Sequence, residues 1–474
     1  MSYPGVELFQ TSAKGRGLKA TRKFETGQAV LKQEPYAYAV MSSHIDVVCH
    51  YCLCAPGQPG APVEDLHRCT GCKFAQYCTK ECQKKAWPEH KQECAAIKRI
   101  TPGKPVDQTR LVGRILWRRK REEKVNGEKK DGKENDEKKV ELVKIEELED
   151  HLSKRNAEEK EAIDEKVYSF GDYFTYDEMP DSDEEMAHLF AIIDCNAIGL
   201  NDHRGVQTIG VGIYPGISML NHDCSPNCVA MNNGPRLEVR ALRVIQPGEE
   251  LCISYIDSLE TTEKRREKLK LQYYFDCECD TCTKGEELEN LKHALVSEDI
   301  KEESVKYINQ FSKDMLKRIH KTKQNQNWER MCNQTLGTLA QQDCVIADTN
   351  VLKIAVLNHA VEVQSFLRRQ EPALEYAERV AAAYEKLLPP VHPTLGMYLM
   401  RLGVIQWQIQ KTEAAVATLG RAASIISKTH GDDHGMFKEL LGLIHQCKME
   451  AHMSKGAQRE FRMAKKKAGL KLPA

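Results

Sequence analysis

The sequence has no net charge, because 69 aspartates and glutamates balance 69 lysines and arginines. This balance gives no global electrostatic reason to expect binding to nucleic acid or to a membrane surface. No uninterrupted apolar run approaches the roughly 20 residues that a membrane-spanning helix needs. The opening segment, MSYPGVELFQ, also lacks the apolar stretch of a signal peptide. We therefore expect a soluble protein.

Disulfides are not expected either, although the chain has 18 cysteines. The cysteines cluster at short spacings typical of metal ligands, which indicates a reducing compartment such as the cytosol or the nucleus. With 474 residues the chain exceeds what one hydrophobic core usually holds. We therefore expect roughly two to four modules.

A first cluster of potential metal ligands lies between residues 49 and 94. Its spacings are C-x2-C, C-x2-C, C-x3-C and H-x3-C, formed by Cys49, Cys52, Cys69, Cys72, Cys78, Cys82, His90 and Cys94. Eight ligands suffice for two four-coordinate zinc ions, and because no position remains for water we predict structural metals. A RING-type ubiquitin ligase also holds two interleaved zinc ions, but the closing H-x3-C within one helical segment argues against it. Spacing alone does not decide which ligands share an ion.

Three further motifs follow one another between residues 221 and 282. NHDCSPNC (221–228) places an Asn-His pair beside a cysteine, GEELCISY (248–255) ends in a tyrosine after a predicted strand, and YYFDCECDTC (273–282) has a C-x-C-x2-C spacing. Cys277, Cys279 and Cys282 are one thiolate short of a tetrahedral zinc site. Cys224 is the candidate for the fourth ligand.

In these motifs the chain resembles the SET-and-MYND-domain (SMYD) protein lysine methyltransferases, most closely their muscle-type branch. NHxCxPNC and GEExxxxY match the SET signature, and their order before a C-x-C-x2-C segment is highly specific. The resemblance covers nearly the whole chain and fits poorly only in a charged stretch from about residue 118 to 166. It implies an S-adenosylmethionine-dependent transfer of methyl groups to lysine side chains, with histone H3 and non-histone muscle proteins as substrates.

The resemblance also implies roles for individual residues. Those that it assigns to S-adenosylmethionine are Lys14, Gly15, Arg16, Asn196, Asn221, His222, Tyr255 and Phe275, the last against the adenine ring. Tyr255 is the predicted catalytic residue, whose hydroxyl would orient the lysine amine, and Tyr273 is the predicted wall of the substrate channel. Since the neutral amine must attack in line with the departing sulfur, orientation and electrostatics should supply most of the barrier reduction.

For the cysteine clusters the resemblance implies three zinc ions. The predicted ligand sets are Cys49, Cys52, Cys78 and Cys82; Cys69, Cys72, His90 and Cys94; and Cys224, Cys277, Cys279 and Cys282. By the same resemblance the first two ions belong to a MYND finger that binds proline-containing peptides of transcriptional partners. Histone deacetylases and myosin chaperones are further implied partners of a monomer that acts in the nucleus and cytoplasm during muscle development.

We predict an α+β multidomain fold. Its expected parts are a β-rich SET core (1–48 and 196–257) split by a MYND zinc finger (49–94) and a helical, charged insert (95–195), then a cysteine-rich post-SET segment (258–283) and a C-terminal α-helical, tetratricopeptide-like domain (284–474). In the last part, residues 371–393 align with residues 412–434 when Glu371 is set on Glu413 and His392 on His434, an offset of 42, as paired helices of a repeat would. A plain helical bundle is the alternative.

Further predictions concern the charged insert and alternative functions of the chain. The segment VNGEKKDGKENDEKK (125–139) is predicted to be a solvated or disordered loop, and Val140–Leu152 an amphipathic helix. An alternative function is a non-catalytic adaptor that recruits partners through the finger and the helical repeats. DNA binding through the finger or the basic run of Arg459, Arg462 and Lys465–Lys467 is a weaker alternative, because the chain has no net positive charge.

Overall fold

The structure, a computed structural model, describes residues 4–11, 14–58, 64–100, 106–128, 143–171, 173–175, 178–180, 182–452, 456–457, 459–460 and 463–464. The chain divides into two units, one formed by residues 1–255 with 268–276 and the other by residues 256–267 with 277–474. Within the described ranges, no helix has the length and apolar character needed to cross a membrane.

The first unit is built from short strands covered by helices. The strands are β1 (Val6–Thr11), β2 (Gly15–Ala20), β3 (Ala29–Gln33), β4 (Ala37–Val40), β5 (His67–Arg68), β6 (Gln76–Tyr77), β7 (Ile198–Asn201), β8 (Thr208–Ile213), β9 (Asn221–His222), β10 (Cys228–Asn233), β11 (Arg236–Ala241) and β12 (Glu250–Ile253). The helices before residue 200 are α1 (Lys80–Ile100), α2 (Asp107–Glu128), α3 (Ala157–Phe170) and α4 (Asp183–Asn196), and α5 (Thr262–Tyr273) follows β12.

The strands form sheets of order β1-β2-β12-β9, β10-β11-β3, β4-β8-β7 and β5-β6. Each of the first three sheets joins strands from the first 40 residues to strands from beyond residue 197. The two β-rich segments that the finger and the insert separate in sequence therefore form one structure. The predicted α+β fold is confirmed.

Strand β12 brings the predicted site segments together. It pairs antiparallel with β2, where Leu251 lies opposite Leu18, and parallel with β9, where Ile253 lies opposite His222. Leu18 and Leu251 are completely buried, and burial of such a side chain contributes roughly 1.5–3 kcal/mol. Since a slip by one residue would turn Leu251 to the other face, this burial fixes the register.

The charged insert differs from the sequence expectation in two ways. The predicted loop over residues 125–139 is wrong for residues 125–128, because helix α2 continues to Glu128. Helix α3 begins at a capping box in which Asn156 and Glu159 bond each other's main-chain N–H groups. The prediction of a helix over Val140–Leu152 is wrong for the described residues from 143 onward, which form only single 3-10 turns. The side chains of Arg16 and Asn196 bind main-chain carbonyls of this segment. Residues 129–142 lie outside the described ranges.

The second unit is helical. Its helices after α5 are α6 (Asp280–Thr283), α7 (Glu286–Lys292), α8 (Glu302–Gln324), α9 (Trp328–Gln342), α10 (Val351–Phe366), α11 (Gln370–Leu387), α12 (Pro393–Gln408), α13 (Thr412–Thr429) and α14 (Gly435–His452). Helices α9, α11 and α13 begin at residues 328, 370 and 412, and the helices before them end at residues 324, 366 and 408. The spacing is 42 residues in every case.

The turns between these helices repeat the same local structure. Gln326, Arg368 and Gln410 all have positive φ, at 54°, 59° and 69°. At the next helix starts, the side chains of Asn350, His392 and His434 each accept a hydrogen bond from the N–H two residues later. The 42-residue offset found in the sequence is thus present in the structure, and the α8–α9 pair extends it toward the N-terminus.

Candidate active site

The site begins with a polar cluster across the first sheet. The Glu250 carboxylate accepts a hydrogen bond from Lys14 Nζ at 2.7 Å and another from Asn221 Nδ2 at 2.9 Å. Asn221 Nδ2 also donates to the main-chain carbonyl of Arg16 at 3.2 Å. Burial opposes the charge on Lys14, but the hydrogen bond and the negative charge of Glu250 raise the pKa of Lys14. The KGRG segment and the Asn-His pair therefore meet at a carboxylate that the sequence analysis did not single out.

Two glycines give the KGRG segment its shape. Gly15 has a φ of +72°, a conformation that side chains other than glycine rarely adopt. At Gly17 a Cβ atom would lie 2.7 Å from Asn221 Nδ2 and 2.9 Å from the Phe9 ring. The backbone of β2 can therefore approach Asn221 only because residue 17 has no side chain.

A segment of the charged insert adjoins this cluster. The Arg16 guanidinium donates to the main-chain carbonyl of Glu147 and lies 3.6 Å from the Glu149 carboxylate. Asn196 Nδ2 donates to the main-chain carbonyl of Glu149 at 2.8 Å. One acidic segment thus brings together Arg16 and Asn196, which are distant in sequence. Sequence reasoning missed it, because acidic residues in a Lys/Glu-rich stretch resemble an ordinary solvated surface.

Aromatic side chains lie on the other side of the Asn-His pair. The Tyr255 N–H donates to His222 Nδ1 at 3.0 Å, and the Tyr255 hydroxyl donates to the main-chain carbonyl of Leu220 at 2.6 Å. The Tyr255 ring centroid is 5.3 Å from that of His222 and 4.7 Å from that of Tyr273. Phe275 lies 6.1 Å from His222. These contacts place the predicted catalytic, channel and adenine-contacting residues next to one another.

Burial keeps the two tyrosines neutral. It raises the pKa of Tyr255 well above the ordinary value, and it raises the pKa of Tyr273 to about 12. The Tyr255 hydroxyl keeps its proton near neutral pH and donates it to the Leu220 carbonyl. This arrangement suits orientation of a neighbouring group and does not suit a tyrosinate base.

The cysteine clusters have the donor chemistry and spacing of zinc sites. Ligand atoms lie within 4.8 Å of one another in three sets, which are Cys49, Cys52, Cys78 and Cys82; Cys69, Cys72, His90 and Cys94; and Cys224, Cys277, Cys279 and Cys282. A tetrahedral zinc with Zn–S bonds of about 2.3 Å has ligand sulfurs about 3.8 Å apart. The observed separations of 3.6 Å for Cys52–Cys78 and 3.9 Å for Cys69–Cys94 fit that geometry. None of the 18 cysteines forms a disulfide.

A buried carboxylate connects the second of these sets to the strands. The carboxylate oxygens of Glu93 lie 3.1 Å from His90 Nδ1, 3.0 Å from Arg110 Nε and 2.5 Å from Arg114 Nη2. Both arginines also donate to main-chain carbonyls of β4. Burial opposes the Glu93 charge, but the guanidinium groups of Arg114 and Arg110 hold the pKa of Glu93 well below its usual range. A carboxylate on the outer nitrogen of a metal-binding histidine fixes the orientation of its ring.

The sheet arrangement and the clustered motifs define a SET-domain protein. In agreement, a family model described as the SET domain matches residues 15–256. The match begins within the KGRG segment and ends just after Tyr255, so it spans every strand of the first sheet except β1.

Curated relatives specify the family. The chain is 38% identical to Histone-lysine N-methyltransferase Smyd1 of Mus musculus, over 97% of this chain and 92% of that protein. It is 32% identical to Histone-lysine N-methyltransferase SMYD3 of Homo sapiens, over 93% and 97% respectively. It is 29% identical to N-lysine methyltransferase SMYD2 of Sus scrofa, over 92% and 97%. The chain belongs to the SMYD family of SET-domain protein lysine methyltransferases, which confirms the family and the enzyme class predicted from the motifs.

The tyrosine pKa leads to a prediction for alkaline pH. In the unfolded chain Tyr273 should titrate near the reference value of about 10, whereas in the folded protein its pKa is about 12. Because the unfolded state loses the proton first, the stabilisation is complete below about pH 10 and is lost as the pH rises toward about 12. Tyr273→Phe is expected to flatten the decline of the free energy of unfolding over this range, measured by urea denaturation. An unchanged slope would contradict the shift.

Proposed function

We propose that the protein binds S-adenosylmethionine beside β2, β9 and β12 and transfers its methyl group to lysine side chains of proteins. The observation that carries this proposal is the position of Asn221 and His222. Asn221 belongs to the polar cluster with Lys14 and Glu250, and the adjacent His222 belongs to the aromatic cluster with Tyr255. A ligand with a zwitterionic end and an aromatic base suits two such clusters side by side.

In this proposal the donor contacts come from both clusters. Lys14, Gly15, Arg16, Asn196 and Asn221 surround the amino-acid end, and His222, Tyr255 and Phe275 lie along the remainder, with Phe275 against the adenine. Glu149 joins this set because its carboxylate adjoins Arg16. When bound, the donor supplies an electrophilic methyl group on a sulfonium, so no acid is needed to activate the leaving group.

The chain's own residues would then orient the lysine amine. A free lysine with a pKa of about 10.4 is protonated at neutral pH and must lose its proton before it attacks. The enclosing rings of Tyr255 and Tyr273 disfavour the ammonium by desolvation. Since the Tyr255 hydroxyl is already bound to the Leu220 carbonyl, its oxygen can accept from the amine. So oriented, the amine would accept the methyl group, and the electron pair of the broken S–C bond would stay on sulfur.

Substrates and partners are proposed from the resemblance together with the relatives' names. Two of those names specify histone lysine, which supports a histone substrate. The resemblance adds histone H3 in particular and non-histone muscle proteins. We further propose a monomer that acts in transcription regulation in the nucleus and cytoplasm of developing muscle, and a finger that binds proline-containing peptides. Histone deacetylases and myosin chaperones are proposed partners.

The basic C-terminal run was the basis of the DNA-binding alternative. Of that run, Arg462 and Lys465–Lys467 lie outside the described residues.

Tyr255→Phe tests the proposed chemistry. We expect S-adenosylmethionine to bind within about twofold of the unmodified protein, and methyl transfer to histone H3 to fall at least about 100-fold, because an orienting hydrogen bond is lost. The measurement is transfer of radiolabelled methyl, with calorimetry for donor binding. Tyr38→Phe is the matched control, since its hydroxyl also donates to a main-chain carbonyl, that of Tyr51 at 2.8 Å. Retained transfer in Tyr255→Phe would contradict the role of this hydroxyl.

Gly17→Ala tests whether Asn221 belongs to the proposed donor site. The added methyl would collide with the Asn221 amide, and overpacking of this kind costs roughly 1–3 kcal/mol. We expect the dissociation constant for S-adenosylmethionine to rise by about tenfold. Gly337→Ala is the control, because its Cβ would meet nothing within 4 Å. Equal donor affinity in both variants would show that Asn221 is not part of the donor site.

We also propose that each of the three ligand sets holds one zinc ion. Elemental analysis by mass spectrometry should then give three zinc ions per chain, one for each set. Cys78→Ser is expected to lower that number by one, because a thiolate ligand is lost. Cys344→Ser, which alters an exposed thiol outside the three sets, should leave it unchanged. A value of two in the unmodified protein would exclude one of the sites.

A further inference from the structure

We propose that Glu250 is a positioning residue that sets the orientation of the Asn221 amide, so that Oδ1 of Asn221 faces the α-ammonium group of the methyl donor. This inference rests on the proposed function, since it requires the donor's amino-acid end to lie beside Asn221. It adds to that function the residue that decides whether Asn221 presents its amide oxygen or its NH2 group to the donor. Donors that carry an α-ammonium group are then selected over those that lack it.

The hydrogen bonds around Asn221 determine which amide atom remains. A primary amide has two N–H donors on nitrogen and one carbonyl acceptor. In Asn221 the nitrogen donates to Glu250 Oε1 at 2.9 Å and to the Arg16 carbonyl at 3.2 Å. Both partners are acceptors, so both N–H groups are used. The oxygen Oδ1 is therefore the atom left to accept from a ligand.

The chemistry of Glu250 prevents the reverse orientation. An ionised carboxylate can only accept hydrogen bonds, so an inverted Asn221 would place oxygen against oxygen. The second carboxylate oxygen is held by Lys14 Nζ at 2.7 Å, and that ammonium also supports the charge. The Glu250 side chain is 24% exposed, which makes it the more enclosed partner of this ion pair.

The main chain that carries Glu250 is fixed as well. Asn227 donates through Nδ2 to the Glu250 carbonyl at 2.8 Å and accepts through Oδ1 from the Cys252 N–H at 2.9 Å. Two residues after Glu250 on β12, Cys252 lies opposite Asn221 in the parallel pairing. Glu250 and Asn221 are therefore held by adjacent strands whose register does not depend on their own side chains.

Replacing the carboxylate with an amide upsets this pattern. In Glu250→Gln the new side chain has one oxygen and one NH2 group to meet two donors, Lys14 Nζ and Asn221 Nδ2. If the glutamine oxygen keeps the charge-assisted bond to Lys14, the glutamine NH2 group faces Asn221. It then favours an inverted Asn221 amide against the longer contact with the Arg16 carbonyl, which is 3.2 Å from Asn221 Nδ2. An inverted Asn221 presents NH2 instead of oxygen to the donor's ammonium group.

The test compares two ligands by calorimetry, S-adenosylhomocysteine and its deaminated analogue, in which hydrogen replaces the α-ammonium group. In the unmodified protein the deaminated analogue is expected to bind about 10-fold to 100-fold more weakly, as for loss of a charge-assisted hydrogen bond. In Glu250→Gln this ratio should fall to about threefold or less, mainly through weaker binding of S-adenosylhomocysteine. Glu249→Gln is the matched control, because the Glu249 carboxylate binds Arg243 and the Gln246 N–H instead.

A second variant keeps the test valid if Glu250→Gln fails to fold. Glu250→Asp retains an acceptor-only carboxylate and should preserve most of the discrimination between the two ligands. An unchanged ratio in Glu250→Gln, whether or not both affinities fall, would overturn the inference, and so would loss of the ratio in Glu249→Gln. Failure of the unmodified protein to bind S-adenosylhomocysteine would instead contradict the proposed function itself.

Discussion

The pairing of strand β12 with β2 on one side and β9 on the other is the interaction on which the rest of the site depends. It places Glu250 between Lys14 and Asn221. It also brings His222 to the N–H of Tyr255. Since Leu18 and Leu251 are completely buried at this junction, the register is maintained by apolar burial, and the polar residues of the site need not hold it.

Charged side chains of the first unit act mainly as anchors. Glu93, Glu250 and the segment of Glu147 and Glu149 each connect elements that are far apart in the chain. The Glu93 network is buried, so removing one of its partners would leave the others without compensation, which costs more than the pair contributes. Although the net charge of the molecule is zero, its charged side chains thus form specific internal pairs.

The sequence predicted those parts of the site that short motifs encode. His90 and Cys94 are one helical turn apart within α1, so their shared position could be read from spacing. Asn221, His222 and Tyr255 lie in motifs that identify the family. Glu93 and Glu149 could not be predicted, because their partners are set by tertiary contacts that no local pattern records. The third copy of the 42-residue repeat was missed, although Gln326 and Gln410 are the same residue type, because Asn350 replaces the histidine found at His392 and His434.

The central claim is that β12 assembles one pocket for the methyl donor from the KGRG segment, the Asn-His pair and the aromatic cluster. A crystal structure of the protein with S-adenosylhomocysteine tests it most directly. The account predicts density for the amino-acid end beside Lys14 and Asn221, and for the adenine ring against Phe275. A ligand bound with its amino-acid end away from Asn221 would contradict the account.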